Sequence, residues 1–370
     1  MTAATDTKTE RASSRLAPTL SPSSPPRGFW LWRFNGAQHS LLLDRRAIAV
    51  NSILAILLAF SAIASLASGS LSISVPDILL TLQGNGSTIH SFVIQELRLP
   101  RFAAGALSGA ALALAGCLMQ TLARNRLATP GIIGIDNAAT AFAVASIVST
   151  TISLAPSAMA LAGAATATAV AFGLAGATGT RGYRFIIAGL AIGAVSGAVT
   201  QVMLSGVALD DANAAYPWTV GSLNARNPTS VIVLTVGLGI GYLLSLAVRR
   251  GLSTLQLPES VAVSLGTRPG RVRFAALALS VLMTGFAVSV AGPVGLIALL
   301  GPELARTVSR PGRIPLTASA LAGALLMTLS DLAGRTLLEP LEIPVGIVTA
   351  LAGSPYLLWI LLRKSPDISR

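Results

Sequence analysis

The reactive groups of this chain are almost all guanidiniums. Of its 26 basic residues only Lys8 and Lys364 are lysines. Arg98 and Arg101 flank Pro100 just before a long apolar run, and Arg335 closes another. A guanidinium is a planar fork that matches a carboxylate and steers the encounter with an acidic partner. The same side chain at the end of an apolar helix also serves as an interfacial anchor. Catalytic chemistry has no comparable support. His39 and His90 are the only histidines and Cys117 the only cysteine, and no His, Cys or carboxylate cluster has ligand spacing. No metal, cofactor or disulfide framework is therefore expected. A phosphate-binding loop needs a lysine following a glycine, so that backbone N–H groups and the ammonium reach the phosphates together; neither lysine follows one. The chain is expected not to be an enzyme, and any ATP that drives it is bound by another polypeptide.

Those arginines are positioned by apolar segments. Hydrophobic residues make up 53% of the 370 and charged ones 11%, against about 25% charged in a soluble domain. The class expected is an all-α polytopic membrane protein. Phe102 to Ala123 is an uncharged run of 22 residues, enough to cross ~30 Å of hydrocarbon at 1.5 Å per residue. Within it Gly105 and Gly109 form a small-xxx-small pair suited to close helix approach. Gln120 is its only strongly polar side chain at depth, and Cys117 reads as a small packing residue. About ten spans are expected, near 47–68, 102–123, 138–155, 157–178, 185–206, 230–248, 274–291, 294–308, 316–333 and 344–362. Pro156 is expected to interrupt the third and fourth, and Pro302 to break the eighth. Residues 1–46, rich in Ser, Thr, Pro and Arg, read as a disordered tail without a signal peptide, and 47–366 as the transmembrane domain. Within the tail, Trp30, Trp32 and Phe34 beside Arg33 suit either a segment at headgroup level or a plain linker.

Basic residues set the orientation. With both termini cytoplasmic, 22 of the 26 fall on the inner side, leaving Arg98, Arg101, Arg226 and Arg335 outside. This is the positive-inside bias, and it accounts for the net charge of +12 without nucleic acid. The inner segment 252–273 is too polar to span and reads as two short helices broken at Gly266. Gly189, Gly193 and Gly197 form a double GxxxG ridge, the pattern of close helix packing. Gln201, further along, either faces a path or pairs with backbone. Acidic residues are almost absent from the spans, with Asp331 at an outer helix end and Glu303 towards an inner one. Ion-coupled carriers place ionisable groups mid-membrane, so this scarcity weighs against a secondary carrier. A non-transporting scaffold is the other rival.

Arg98-Leu-Pro-Arg, then Ser108 to Gln120 (SGAALALAGCLMQ), then Arg124 to Ile135 (RNRLATPGIIGI) resemble the signature of the FecCD-type permeases. These are the membrane subunits of ATP-binding-cassette importers for iron chelates, haem and cobalamin. The likeness extends through Trp218 to Leu223, Ala291 to Arg306 and Leu341 to Arg363, so that it covers about 70–366. It departs at Arg126, where the family has Pro; at Ala138, where it has Gly; at Pro258, where it has Gly; and at Glu303, where His is usual.

The resemblance implies a type II ABC importer permease, working with two ATP-binding subunits, a second permease subunit (identical or a paralogue) and an extracytoplasmic substrate-binding protein in a bacterial inner membrane, and with no nucleic acid. It implies that Arg98, Arg101 and Arg335 receive acidic residues of the binding protein, with helix anchoring as the alternative. Leu257, Glu259, Ala262, Leu265 and Gly266 match the segment that docks on the ATPase, although the same stretch also reads as an ordinary amphipathic loop. Asn125 and Leu127 match the cytoplasmic mouth. The ridge of Gly189, Gly193 and Gly197 would line the path, which Gln120 and Gln201 were also candidates to face. The implied cargo is a ferric siderophore, with cobalamin or haem as the alternative.

Overall fold

The computed structural model describes residues 28–34, 39–69, 71–149, 154–175 and 183–362. The chain divides into two compact units, Met1–Ala49 and Val50–Arg370.

In the first unit, β1 (Phe29–Phe34) pairs antiparallel with β2 (His39–Asp44), with Trp30 opposite Leu43 and Leu31 opposite Leu42. This corrects the reading of 1–46 as disordered throughout. The polar composition of the whole tail masks a local aromatic run facing an aliphatic one, and such cross-strand pairs stabilise a hairpin. The Arg45 guanidinium covers the Trp30 ring at 5.0 Å. Residues 1–27 lie outside the described residues.

The second unit is helical. Seven described helices are long and apolar enough to cross a membrane. In this unit they are the continuous helix Thr88–Ala123, α6 (Pro156–Ala175), α7 (Tyr183–Ser205), α9 (Pro228–Thr254), α11 (Pro269–Ala291) and α13 (Leu316–Thr336). The seventh, α1 (Arg45–Ala67), begins before the unit boundary. Three shorter helices, α5 (Ile135–Val148), α12 (Gly295–Val308) and α14 (Val345–Leu362), take the remaining expected positions. The count of about ten therefore holds. Short helices α2 (Val75–Leu82) and α8 (Leu209–Val220) are not among the expected spans and are not long enough to be, while α3 (Thr88–Ser91) is the first turn of the continuous helix.

Three boundaries differ from the sequence reading. Pro302 lies inside a continuous α12 rather than breaking it. The second short helix expected after Gly266 is the first turn of α11, leaving only α10 (Glu259–Ser264) free-standing. The helix leading into α4 (Leu99–Ala123) starts at Thr88, well before Pro100. Between them, Phe92–Arg98 is a π-helical stretch in which the Leu99 N–H bonds the carbonyl of Ile94. The wider turn accommodates the missing N–H and ring of Pro100 without ending the helix.

α4 is the central post. It packs on α13, α11, α12 and α9, and 67% of its most apolar window is buried, against 6% for α1. Small residues make this possible. A Cβ on Gly109 would meet the Gly323 carbonyl oxygen at 2.3 Å, and one on Gly116 would meet that of Ala298 at 1.7 Å. Backbones of α4, α12 and α13 are thus in direct contact, as the small-xxx-small spacing foretold. The large apolar residues go outward instead: Ile53, Ile56, Phe60, Ile232, Val236 and Leu243 are all exposed. That reversal of large-outside and small-inside is what a hydrocarbon surround permits, since lipid exerts no hydrophobic pressure to bury them.

Candidate functional site

At the end of α4 that carries Arg98, arginines and acids from four segments converge. Arg101 donates from Nε and Nη2 to Asp331 Oδ1 at 3.1 and 3.0 Å, and from Nη1 to Glu342 Oε2 at 3.0 Å. Arg335 lies one helical turn after Asp331, with its Nε 3.3 Å from Asp331 Oδ2, and its Nη2 donates to Ser65 Oγ at 2.8 Å. Arg98 is only 7% exposed; its guanidinium donates to the carbonyls of Leu66, at 2.5 Å, and Leu71. The π-helical turn directs Arg98 inward, where it closes the backbone after α1.

All three arginines expected to dock a partner or anchor helix ends are held by contacts within the chain. Arg98 is an internal clasp, and Arg101 and Arg335 form a network around the buried Asp331, with side chains 14% and 8% exposed. The apolar run holds no charge to pair with the first two; Arg101 finds its partners on α13 and in the segment before α14, more than 200 residues away, while Arg98 reaches the Leu66 and Leu71 carbonyls, 32 and 27 residues back.

Arg226, the fourth arginine expected outside, lies apart from this network. It follows α8, stacks on the Trp218 ring at 4.1 Å, and donates from Nε and Nη2 to the Ser222 carbonyl at 2.9 and 2.8 Å. It has no carboxylate partner among the described residues, and burial pushes its pKa down to about 10. Two adjoining cavities of about 410 and 570 Å³ share Arg101, Leu223, Asn224, Ala225, Arg226 and Glu342 in their walls. Sequence reasoning placed Arg226 outside but gave it no role. Its companion Trp218 within the Trp-Thr-Val-Gly-Ser-Leu run was the available signal.

At the opposite end of α4 the chain reverses through Arg124–Ala128. Arg124 caps the helix with φ 50°, and the Asn125 side chain accepts the N–H of Leu127 at 2.9 Å. Asn125 and Leu127 are exposed. Arg126 Nη1 is 3.2 Å from Glu303 Oε1, and Arg306 approaches Glu303 Oε2 at 3.5 Å. The two departures from the family pattern in this region therefore pair with each other across α4 and α12. Gln120 is buried, accepting from Arg306 and directing its amide at the carbonyls of Ala298 and Leu299. It stitches α4 to α12 within the chain.

The coupling candidates sit at the α9–α11 junction. Ala262 is fully buried, while Leu257, Val261, Val263 and Leu265 are exposed. Glu259 pairs with Arg273 at 3.1 Å, and Gly266 turns the chain at φ 79°, a conformation that favours glycine. An apolar face held out on a short, rigid element suits docking better than it suits solvent.

On α7 the glycines face inward. A Cβ on Gly189 would meet the Ile132 oxygen at 2.7 Å, Gly193 abuts Gly134, and Gly197 looks towards Asn137, whose amide donates to the Gly193 carbonyl at 3.0 Å. They pack α7 against the turn before α5. The exposed face of α7 is the opposite one, carrying Leu190, Val195, Val199, Gln201 and Val202. The sequence reading also passed over Asp136, in the first turn of α5, whose Oδ1 is buried without a hydrogen-bond partner.

Residues 57–363 match the FecCD transport family. Among curated relatives, the Fe(3+)-citrate import system permease protein YfmE of Bacillus subtilis is 34% identical over 86% of this chain and 96% of its own length. The Fe(3+) dicitrate transport system permease protein FecD of Escherichia coli is 37% identical over 74% and 86%, and the ferric enterobactin transport system permease protein FepD of the same organism is 35% identical over 86% and 96%. A solved inward-facing structure, described as of the metal-chelate type of ABC transporter, superposes with a TM-score of 0.73 at 25% identity, covering 86% of this chain and all of that one. A helical core matched over nearly its whole length, with the sequence signature intact along α4, leaves one assignment: the chain belongs to the FecCD transport family, and is a multi-pass membrane permease.

Proposed function

We propose that the chain forms half of the translocation unit of a binding-protein-dependent ABC importer and moves a ferric siderophore or ferric citrate into a bacterial cell. The observation that carries this is the near full-length similarity to permeases named for ferric citrate and ferric enterobactin. Two ATP-binding subunits engage the exposed leucines around α10, and a soluble binding protein delivers the chelate to the Arg226 side. A second permease subunit faces the exposed stripe of α7, so that Gln201 and its aliphatic neighbours line the path while Asn125 and Leu127 guard its inner mouth. Both termini are cytoplasmic.

Uptake of ferric citrate, a ferric tricatecholate, haem and cobalamin by proteoliposomes holding the assembled complex tests the cargo. Energised uptake of an iron chelate is expected; uptake of cobalamin or haem alone overturns the cargo, and uptake driven by an ion gradient without ATP overturns the class. Orientation is tested with single cysteines on a Cys117→Ser background. Ser264→Cys should react only from inside and Asn224→Cys only from outside, both positions being exposed. For coupling, Glu259→Arg places a second cation beside Arg273, 3.1 Å from the present carboxylate. ATP hydrolysis is expected to persist while uptake falls; unchanged uptake with normal ATPase association removes the segment from the docking role.

A further inference from the structure

The turn that follows α4 is held by two handles on opposite sides. On one, Arg124 Nη2 donates to the Leu257 carbonyl at 2.8 Å and also to the Leu255 carbonyl. Those carbonyls end α9 and open the segment that carries α10. On the other, Arg126 is paired with the buried Glu303 of α12. Between the handles the turn is internally braced: the Asn125 N–H bonds the Gln120 carbonyl at 3.2 Å, the Ala128 N–H bonds the Asn125 carbonyl at 3.2 Å, and Asn125 Oδ1 holds the Leu127 N–H. A braced turn moves as a body when one handle is pulled, because its own hydrogen bonds must break before it can deform.

From this geometry we infer that Arg124 is a positioning residue that transmits displacement of the coupling segment to Leu127, with the Arg126–Glu303 pair as a second, weaker tether on the far side of the turn. The inference rests on the importer reading above. Arg124 suits this role because one guanidinium nitrogen, with its two hydrogens, serves two carbonyls just beyond the end of α9. A displaced Leu257 therefore draws the α4 terminus with it. Arg124 is exposed and has no acidic partner among the described residues, so its hydrogen bonds rather than charge pairing define what it does.

The test uses the full chain, co-purified with its ATP-binding subunits, on a Cys117→Ser background with Leu127→Cys as reporter. Maleimide labelling is compared without nucleotide and after vanadate trapping of ATP, and phosphate release gives the hydrolysis rate. With Arg124 present, the labelling rate is expected to change by about fivefold or more between the two states, the low end of coupling between distant sites. With Arg124→Ala the change should fall below about twofold while hydrolysis stays within about twofold of the parent. Arg124→Gln, two atoms shorter, should lie between them, and it serves if the alanine variant does not fold. Retention of the full nucleotide-dependent change in either variant overturns the inference. So does a proportional fall in labelling change and hydrolysis, the mark of a merely structural role, or a reporter that ignores nucleotide even with Arg124 present. If no ATP-binding subunit co-purifies with the parent chain, the importer reading itself fails.

Discussion

Replacing Asp331 with alanine removes the one carboxylate that Arg101 and Arg335 share. Asp331 is 6% exposed at the side chain, and the two arginine side chains it pairs with are 14% and 8% exposed. Breaking a buried ion pair from one side costs about 3–5 kcal/mol, because the remaining charge is left uncompensated. Glu342 stays 3.0 Å from Arg101 but is 46% exposed, and an exposed pair contributes only about 0–1 kcal/mol. A net loss of about 3 kcal/mol follows, or roughly a hundredfold in the folded-to-unfolded ratio. For a chain of this size that corresponds to a fall of roughly 5 °C in the thermal midpoint of the detergent-purified protein, read by loss of the monodisperse peak after heating. Asp331→Asn keeps the shape and one acceptor and should lose about half as much. The double change Arg101→Met with Asp331→Leu removes both charges and should recover part of the loss, since apolar replacement of a buried pair is often neutral. If Asp331→Ala leaves the midpoint within about 1 °C of wild type, the reasoning is refuted and the network does not hold the helix ends together.

Further outcomes follow from the same contacts. Joint reversal of Arg98 and Arg101 to Glu sets a carboxylate beside Asp331 and strips the clasp on Leu66, so the yield of folded protein should collapse before any effect on a binding protein is measurable by affinity capture. Gly116→Val drives a side chain into the Ala298 carbonyl, 1.7 Å from the ideal Cβ, and should destabilise by at least about 1–3 kcal/mol on the same heating assay. Arg126→Glu and Glu303→Arg should each lower stability, and their combination should restore about 0.5–1 kcal/mol of it in a double-mutant cycle, a modest figure because Arg126 is 72% exposed. For Arg226 the folded pKa of about 10 lies below the ordinary arginine value. The folded state therefore binds fewer protons across that window, and the stability difference between wild type and Arg226→Met should shift towards wild type as pH rises through 10 in a pH-dependent melt.

What the sequence by itself determined is the class and the frame. Uncharged runs longer than a bilayer is thick have no other stable use, and the asymmetry of arginine over the loops follows from how such chains are inserted. Small residues at spacings of four announced close packing without knowing their partners. Gly109 found Gly323 and Gly193 found Gly134, and both meetings join segments far apart in the chain. The order of motifs along 70–366 pointed to the family, because a signature is a property of the linear chain.

Tertiary structure alone decided what each charged group does. Arg98, Arg101 and Arg335 stand in sequence without visible partners, and the fold brings Leu66, Asp331 and Ser65 to them. Gln120 and the glycine ridge of α7 were candidates for a path, and the folded chain turns both towards its own helices. Arg126 and Glu303, two separate oddities in sequence, became one ion pair 3.2 Å long. The physical reason is common to all of them. Periodicity fixes which face of a helix a residue occupies, but an apolar helix surrounded by hydrocarbon has no polar side to say which face looks inward. That choice is made by backbone contacts between glycines and by ion pairs across more than a hundred residues of chain, and neither is encoded locally.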